Sequence, residues 1–315
     1  ERMKIAIEGI RLELADTLLE DQRTDEALSR YTAILATEDL DPPSAAAARL
    51  GAGQAELQQG NPSGAIEHLG VDADPGPVAR RARLEMLARA QVAADAPSDA
   101  LMTWRALSEA AGEDPGTLAA AARGEADVLL ATDALDEALI AYARAEDIAP
   151  DTATRGWARI GRAHVLMEKN DPATALGLLE GARASSDPEV ALQAHILGAQ
   201  IHLRTESWSD ALALLTDVVA EGMGAGWDAT LVETRCAALA GLDRLPEARE
   251  EWKALVDRWP DDDEARLPAW LGLADLATAS GDTSTARELV QTAMRSTDDP
   301  GYIARAEALM EQLGP

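Results

Sequence analysis

Residues 133–151 read DALDEALIAYARAEDIAPD, a segment rich in alanine and leucine with a proline next to its end. Its opening recurs along the chain as TDEALSRYTAIL (24–35), PATALGLLEGA (172–182) and WSDALALLTDVV (208–219). Alanine and leucine are strong helix formers, and proline cannot continue a helix. The segment therefore predicts one helix of a repeating unit.

One alanine in each copy fixes the register of the repeat, and we call it the anchor alanine. Successive anchors lie 35 to 38 residues apart. The anchor alanines are Ala27, Ala65, Ala100, Ala138, Ala175, Ala211, Ala248 and Ala286. Twelve residues before each anchor stands a small residue: Ala15, Gly53, Ala88, Ala126, Ala163, Ala199, Cys236 or Ala274. Four residues after each anchor stands a large apolar residue: Tyr31, Leu69, Trp104, Tyr142, Leu179, Leu215, Trp252 or Val290. Small residues let two helices approach while large ones fill the space one turn away, so the pattern predicts packed helical hairpins.

Two breaks in each unit divide it into helix, tight turn, helix and loop. Gly60–Asn61–Pro62 and Asn170–Asp171–Pro172 are typical turns between the two helices of a unit. Pro75–Gly76–Pro77 and Pro300–Gly301 are typical breaks after the second helix. Glycine or asparagine before a helix and proline in its first turn are helix punctuation.

The composition agrees with an all-α chain and narrows the class of partner. Of the 315 residues 47% are apolar, yet only 3% are aromatic. The formal net charge of −28 repels phosphate backbones and anionic lipids, which predicts no nucleic-acid partner. A membrane-spanning helix needs about 20 apolar residues, and no stretch supplies them, so no direct membrane insertion is predicted. The acidity fits either simple solvation or attraction of basic partners.

These features resemble the tetratricopeptide-repeat family, whose unit is a helical hairpin of about 34 residues. The resemblance rests on the two small positions and on Pro77, Pro150 and Pro260, which stand twelve residues after their anchors. It implies an all-α, right-handed α-solenoid of about eight hairpins, with the first helix of each hairpin on the concave face. The sequence departs from the family pattern in its longer loops. It departs also in Arg249 and Arg287, which follow the last two anchors where the others are followed by Leu or Ile.

The resemblance predicts three segments. Residues 1–7 form a helical lead-in, which the start of the chain at Glu1 could truncate. Residues 8–300 form the eight repeats. Residues 301–315 form a capping helix, which a repeat array needs because its last hairpin would otherwise expose an apolar face.

The concave face of the middle repeats is the predicted partner-binding site, because it offers charge, hydrogen-bonding groups and an aromatic ring. Interfaces are enriched in Trp, Tyr and Arg. The predicted partner-binding residues are Arg89, Arg123, Asp127, Trp157, His164, Glu168, Gln200 and Arg204. The alternative, that these residues are only solvated groove residues, stays open at this stage. The Lys and Asn set that holds a carboxylate terminus in the best-known members of the family is not found at these positions.

Motifs that carry chemistry are not convincing in this sequence. His195 and His202 share a helix face, but no acidic or cysteine ligand matches their spacing, which favours core or edge histidines. Residues 222–226 lack the preceding strand and the lysine of a phosphate-binding loop. Residues 261–264 lack the ligand spacing of a calcium loop. Cys236 occupies a small-residue position, so we expect a buried, inert thiol. The sequence predicts no enzyme, no cofactor and no metal.

Apart from Trp157, which belongs to the predicted partner-binding set, the tryptophans fall into two groups. Trp104, Trp252 and Trp270 occupy core positions of the repeat. Trp208, Trp227 and Trp259 fall at turns and loops, where they mark either a partner patch or packing between repeats.

Taken together, the sequence predicts a non-enzymatic scaffold that docks a peptide or protein element on its concave surface, within a larger bacterial assembly. Two alternatives stay open: a sensor or autoinhibitory segment of a larger multidomain regulator, and a self-associating structural subunit. The partner is expected to be a protein or peptide. Both the cytoplasm and the periplasm of a bacterium fit, and the oligomeric state is left open.

Overall fold

The computed structural model describes residues 2–71 and 76–314, and in these residues it contains seventeen α-helices and no strand. Glu1, Pro75 and Pro315, which belong to the predicted lead-in, one repeat break and the cap, lie outside the described residues. The chain divides into two compact units, residues 1–169 and residues 170–315, which we call unit 1 and unit 2. The sequence pattern did not predict this division.

The helices of unit 1 are α1 Arg2–Glu20, α2 Thr24–Leu35, α3 Pro42–Gln58, α4 Pro62–Leu69, α5 Pro77–Ala93, α6 Pro97–Ala111, α7 Pro115–Ala131, α8 Leu135–Ile148 and α9 Thr152–Glu168. The helices of unit 2 are α10 Pro172–Arg183, α11 Pro188–Arg204, α12 Trp208–Leu215, α13 Ala225–Gly241, α14 Leu245–Arg258, α15 Asp263–Ala279, α16 Thr283–Arg295 and α17 Pro300–Leu313. Helix α1 is continuous from Arg2, so the lead-in predicted for residues 1–7 and the start of the first repeat share one helix.

Carboxylate caps start several helices at the predicted breaks. The side chain of Asp41 accepts a hydrogen bond from the backbone N–H of Ser44 at 3.0 Å, directly before Pro42. Asp151 accepts from the backbone N–H of Thr154 at 2.7 Å. Such caps satisfy backbone donors that have no partner inside the helix, which defines where each helix begins.

The tight turn between the two helices of a hairpin has the same backbone conformation in all eight repeats. The residue five positions before each anchor has a positive φ, between 56° and 77°. These residues are Gln22, Gly60, Asp95, Asp133, Asn170, Glu206, Asp243 and Gly281. Left-handed residues end a helix and turn the chain back, so this one position fixes the geometry of each hairpin.

The anchor register is confirmed by burial. All eight anchor alanines are 0% exposed. The small residues twelve positions earlier and the large residues four positions later are buried as well. The anchors therefore form the tight contacts around which each hairpin closes.

Contacts between helices define an inner layer in each unit. In unit 1, α1, α3, α5, α7 and α9 each contact the next helix of that series. Among the described residues, α2, α4, α6 and α8 contact only helices of the first series. Unit 2 repeats this arrangement, with α11, α13, α15 and α17 in contact along its inner layer. Each unit is thus a stack of helical hairpins in which the first helices form the inner layer, as a solenoid requires.

Aromatic rings fill the junctions between successive repeats in a specific way. The rings of Tyr31, Trp104, Tyr142 and Trp252 lie where the Cβ of a glycine in the next inner helix would be. The four glycines are Gly51, Gly124, Gly161 and Gly272, each fourteen positions before the next anchor. At the junctions where leucine stands in place of the aromatic residue, the position fourteen residues before the next anchor is not glycine but Met86, Leu197 or Thr234. Ring and glycine therefore complement each other in volume at four junctions.

The last helix covers the end of unit 2. Ala306 and Leu309 of α17 are buried in one apolar cluster with Leu271 of α15 and Val290 of α16. A helix in this place removes the last hairpin's apolar face from water. Trp270, predicted as a core residue, is half-buried and packs against this cluster, and the guanidinium carbon of Arg266 lies 5.1 Å from its ring centroid.

Candidate functional site

A pocket of about 350 Å³ opens on the inner layer of unit 1, between α5 and α7. Arg89 from α5 and Arg123 and Asp127 from α7 line it, so the structure brings three of the eight predicted site residues together. Glu85, Val92, Trp104, Ala120 and Gly124 complete its wall. The pocket is therefore walled by charged groups on both helices and has an aromatic ring from α6.

The charges in this pocket are mixed in sign and unequally paired. The Nη2 atom of Arg89 lies 2.5 Å from the Oε1 atom of Glu85, one turn away on the same helix. Asp127 accepts a hydrogen bond from the hydroxyl of Tyr142. Arg123 is half-buried and forms no hydrogen bond or ion pair with any described residue. Its guanidinium is the cation of this pocket that is open to a ligand.

Burial perturbs the titration of the groups around Asp127. Desolvation raises the pKa of Asp127, while the hydrogen bond from Tyr142 and the charges of Arg123 and His164 oppose this rise. Burial and the neighbouring carboxylate raise the pKa of Tyr142 far above its ordinary value. The hydroxyl therefore stays protonated and keeps donating to Asp127.

The indole of Trp104 supplies a donor without a hydrogen-bond partner among the described residues. Trp104 is only 5% exposed, and its Nε1 atom is buried without a hydrogen-bond partner among the described residues. Its ring packs against the backbone of Gly124, which also lines the pocket. A buried donor without an acceptor costs free energy that a bound carbonyl group would recover.

Three more predicted residues lie on α9, the last inner helix of unit 1. His164 is half-buried, and desolvation lowers its pKa although the carboxylates of Glu168 and Asp127 act in the opposite direction. Trp157 is half-buried, and Glu168 is exposed and has an interaction partner. His164 therefore extends the polar surface around Asp127.

The last two predicted residues belong to unit 2. Gln200 and Arg204 are both exposed on α11, the first inner helix of that unit. The predicted set of eight is therefore divided between the two units, six residues in unit 1 and two in unit 2.

Sequence reasoning missed the contribution of Trp104 to this pocket, because it assigned that ring only to the core. The signal was present in Gly124, a glycine in a helix interior fourteen residues before an anchor. Glycine inside a helix often marks the close approach of another group. Of the tryptophans at turns and loops, Trp208 packs against Gly241 of the next repeat, and Trp259 donates to Asp228 at 2.9 Å. Trp208 therefore joins two successive repeats, whereas Trp259 joins the two helices of one hairpin.

The histidine, cysteine and aspartate side chains weighed above as metal ligands or nucleophiles make contacts that support the fold. The Nδ1 atom of His195 lies 3.1 Å from the carbonyl oxygen of Leu214. The thiol of Cys236 is buried, its pKa is raised mainly by desolvation, and it lies 3.4 Å from the carbonyl oxygen of Ala248. Asp262 caps α15 through the backbone N–H of Glu264 at 2.9 Å. Within the described residues, no group of three or more His, Cys, Asp or Glu side chains is placed to hold a metal ion.

None of the helices in the described part of the chain is both long and apolar enough to cross a membrane.

Comparison with known proteins agrees with the repeat pattern. The family model for the tetratricopeptide repeat matches residues 12–76, 160–226 and 237–303. No curated protein matches the chain in sequence.

Solved structures are similar in fold at low identity. A tetratricopeptide repeat protein from Parabacteroides merdae has a TM-score of 0.59 at 13% identity, over 86% of this chain and 99% of its own. Yeast Tom70 has a TM-score of 0.67 at 14% identity, over 93% of this chain and 60% of its own. A signal transduction ATPase with numerous domains and a tetratricopeptide repeat sensor, from Pyrococcus horikoshii, has a TM-score of 0.61 at 14% identity, over 99% of this chain and 49% of its own. At such identities the likeness concerns the fold alone.

Proposed function

The chain belongs to the tetratricopeptide-repeat family, and from that premise we propose that it is a non-enzymatic scaffold whose inner layer docks a peptide or protein element. The matched repeats and the tetratricopeptide-repeat structures of similar fold support a role in protein interaction. The observation that carries the docking site is the pocket of unit 1, where Arg123 and the indole N–H of Trp104 have no hydrogen-bond or ion-pair partner among the described residues.

The pocket determines the chemistry of the docked segment. A carboxylate of the partner would pair with the guanidinium of Arg123, which can donate two parallel hydrogen bonds. A backbone carbonyl of the partner would accept from Nε1 of Trp104. Asp127 and Glu85 favour donors or a basic group elsewhere on the same segment. The proposed partner is therefore a polypeptide of mixed charge, and Trp157, His164 and Glu168 would extend its contact along α9.

Gln200 and Arg204 have a separate place in this proposal. Both lie on the first inner helix of unit 2 and offer an amide and a guanidinium. We assign them to docking on unit 2, to be tested apart from the pocket of unit 1.

The test starts from peptides selected from a displayed random library on the intact protein. Their affinities are measured by fluorescence anisotropy for wild type and for two variants, Arg123→Gln and Trp104→Phe. The first removes the charge, and the second removes the indole donor while keeping an aromatic ring. We expect Arg123→Gln to weaken binding at least tenfold, which corresponds to about 1.4 kcal/mol. Trp104→Phe should weaken it by a smaller factor.

Arg80→Gln is the matched control, since Arg80 is exposed on α5, forms no ion pair with any described residue and does not line the pocket. It removes the same charge and should leave affinity unchanged. Equal losses in Arg80→Gln and Arg123→Gln would reduce the effect to net charge. Full affinity in both pocket variants would remove the site from the proposal. Light scattering on the same samples reports whether the chain associates with itself instead.

A further inference from the structure

A second pocket, of about 550 Å³, lies on unit 2 and contains none of the eight predicted residues. It is walled by the N-terminal parts of the inner helices α13, α15 and α17 and by the loop before α13. The side chains that matter for its chemistry are Trp227, Glu233, Glu264, Pro268 and Tyr302. Aromatic rings and carboxylates thus share one cavity.

Glu264 is the unpaired anion of this pocket. Among the described residues its carboxylate has no hydrogen-bond or ion-pair partner. A Cβ atom at Gly226 would lie 2.9 Å from Oε2 of Glu264, so the carboxylate of α15 rests against the glycine of α13. Because Gly226 has no side chain, the Glu264 carboxylate can occupy the space beside it in the wall of the pocket.

The backbone adds a further acceptor at the same place. Pro268 lies inside α15 and has no N–H group. In an α-helix the N–H of residue 268 would donate to the carbonyl oxygen of Glu264, so this carbonyl lacks its helical partner. Both residues line the pocket. Its α15 wall therefore offers hydrogen-bond acceptors in excess of donors.

The chain itself shows that this face accepts a guanidinium. Arg305 of α17 places Nη1 2.9 Å from Oε1 of Glu233 and Nη2 3.4 Å from Oδ2 of Asp275. On α15, the guanidinium of Arg266 lies over the ring of Trp270. Carboxylate pairing, at the pocket residue Glu233, and ring stacking, elsewhere on α15, are the two contacts that an arginine side chain makes best, and this unit makes both.

We propose that this pocket of unit 2 binds an arginine side chain of a partner polypeptide, with its guanidinium on the Glu264 carboxylate and between the rings of Trp227 and Tyr302. The two rings are half-buried and line the same pocket as the acceptors. An arginine is favoured over lysine because its planar group pairs with a carboxylate through two hydrogen bonds and stacks on aromatic faces. The inference goes beyond the proposed function, since it assigns a ligand to a different pocket on the other unit.

The test uses three five-residue peptides that differ only at the centre, which is arginine, lysine or citrulline, flanked by glycines and blocked at both ends. Citrulline has nearly the shape of arginine without its charge. Each peptide is titrated into the ¹⁵N-labelled full chain, and the seven indole N–H resonances are followed by NMR. Trp227→Phe identifies the resonance of Trp227. We expect the arginine peptide to shift this resonance saturably, the lysine peptide to bind more weakly, and the citrulline peptide to leave it in place.

Two substitutions locate the charge that is responsible. Glu264→Gln keeps the size of the side chain and should lower the affinity for the arginine peptide at least tenfold. Asp261→Asn is the control, because Asp261 is exposed three residues earlier and lies outside the pocket. It removes the same charge and should change the affinity less than twofold. Circular dichroism confirms that both variants keep their helices.

Several results would overturn the proposal. Equal binding of the citrulline and arginine peptides would show that charge is not recognised. Equal losses in Asp261→Asn and Glu264→Gln would reduce the effect to general acidity. Loss of arginine-peptide binding in Arg123→Gln would place the peptide in the pocket of unit 1. Unchanged binding in Arg123→Gln is expected, so the two pockets succeed or fail separately.

Discussion

Replacing Gly161 by alanine should destabilise unit 1, although the same change usually stabilises a helix. Gly161 lies inside α9, and a Cβ atom there would overlap the ring of Tyr142. Tyr142 is 3% exposed and its hydroxyl donates a hydrogen bond to Asp127. Its ring therefore cannot move into water without losing both its burial and this hydrogen bond. The glycine therefore supplies the space that the ring occupies.

Two opposing effects decide the size of the change. Alanine in place of glycine in a helix gains about 0.5–1 kcal/mol because it restricts the unfolded chain. Overpacking a tight core contact costs about 1–3 kcal/mol. Because the added Cβ would overlap several atoms of a buried ring, the upper part of the overpacking range applies, and the net result for Gly161→Ala is a loss of about 1–2 kcal/mol. For a unit of this size that corresponds to a fall in Tm of about 2–8 °C.

Gly177→Ala provides the control. Gly177 also lies inside a helix, α10, but a Cβ atom there would meet nothing within 4 Å. This variant should gain about 0.5–1 kcal/mol. Thermal unfolding is followed by circular dichroism, and hydrogen exchange with mass spectrometry assigns each change to its unit, because repeat arrays need not unfold in two states.

A double substitution tests the cause directly. Leucine stands in place of the aromatic residue at the junctions without glycine, so Tyr142→Leu should make room for alanine at position 161. We expect a favourable coupling of at least about 1 kcal/mol between the two substitutions. If Gly161→Ala were as stabilising as Gly177→Ala, the complementarity of ring and glycine would be refuted.

Four further predictions follow from the same structure. Glu206→Gly should stabilise the chain by about 1 kcal/mol in urea unfolding, because Glu206 holds a φ of 57° that glycine adopts without strain. Ala138→Trp should cost about 3 kcal/mol or more, because the anchor is 0% exposed, whereas Ile140→Trp, at a position 70% exposed, should be nearly neutral. Burial alone would raise the pKa of Glu125, but hydrogen bonds from two arginines outweigh it and lower the pKa below 4.5. A lowered carboxyl pKa stabilises the folded chain at pH values above 4.5, and this stabilisation is lost as the pH falls through the pKa of the folded state. Glu125→Gln should therefore cost about 1–2 kcal/mol of unfolding free energy at pH 7 and less in acid. Finally, raising the ionic strength from about 0.05 to about 0.5 M should slow association of a selected peptide by less than about tenfold in stopped-flow fluorescence, because the pocket of unit 1 is mixed in sign.

The sequence predicted the helical hairpins well because their packing depends on local spacing. The anchors, such as Ala138, and their small and large neighbours recur at fixed intervals, and every one of them is buried. The left-handed turn residue was not predicted. Glycine marks it in only two repeats, and Gln22 and Glu206 occupy it in others. Residue type is a weak signal where the backbone geometry is imposed by the packed helices on both sides.

The candidate site could be predicted less completely than the fold, because it depends on contacts between repeats. Arg89, Arg123 and Asp127 line one pocket in the structure, and their role in binding a partner stays a prediction. The roles of Trp104 and Glu264 depend on what lies opposite them in the neighbouring helix, and spacing within one repeat contains no such information. The division into two units is likewise a property of the assembled chain.

The central claim is that partners dock on the inner layer of unit 1, and photo-crosslinking tests it most directly. p-Benzoylphenylalanine is placed at Val92 or at Met102, which belong to the same hairpin and are 49% and 62% exposed. Val92 lines the inner pocket, whereas Met102 lies on α6 outside it. After irradiation with a labelled selected peptide, the account predicts a crosslinked product from position 92 and none from position 102. Crosslinking from position 102 alone would contradict it.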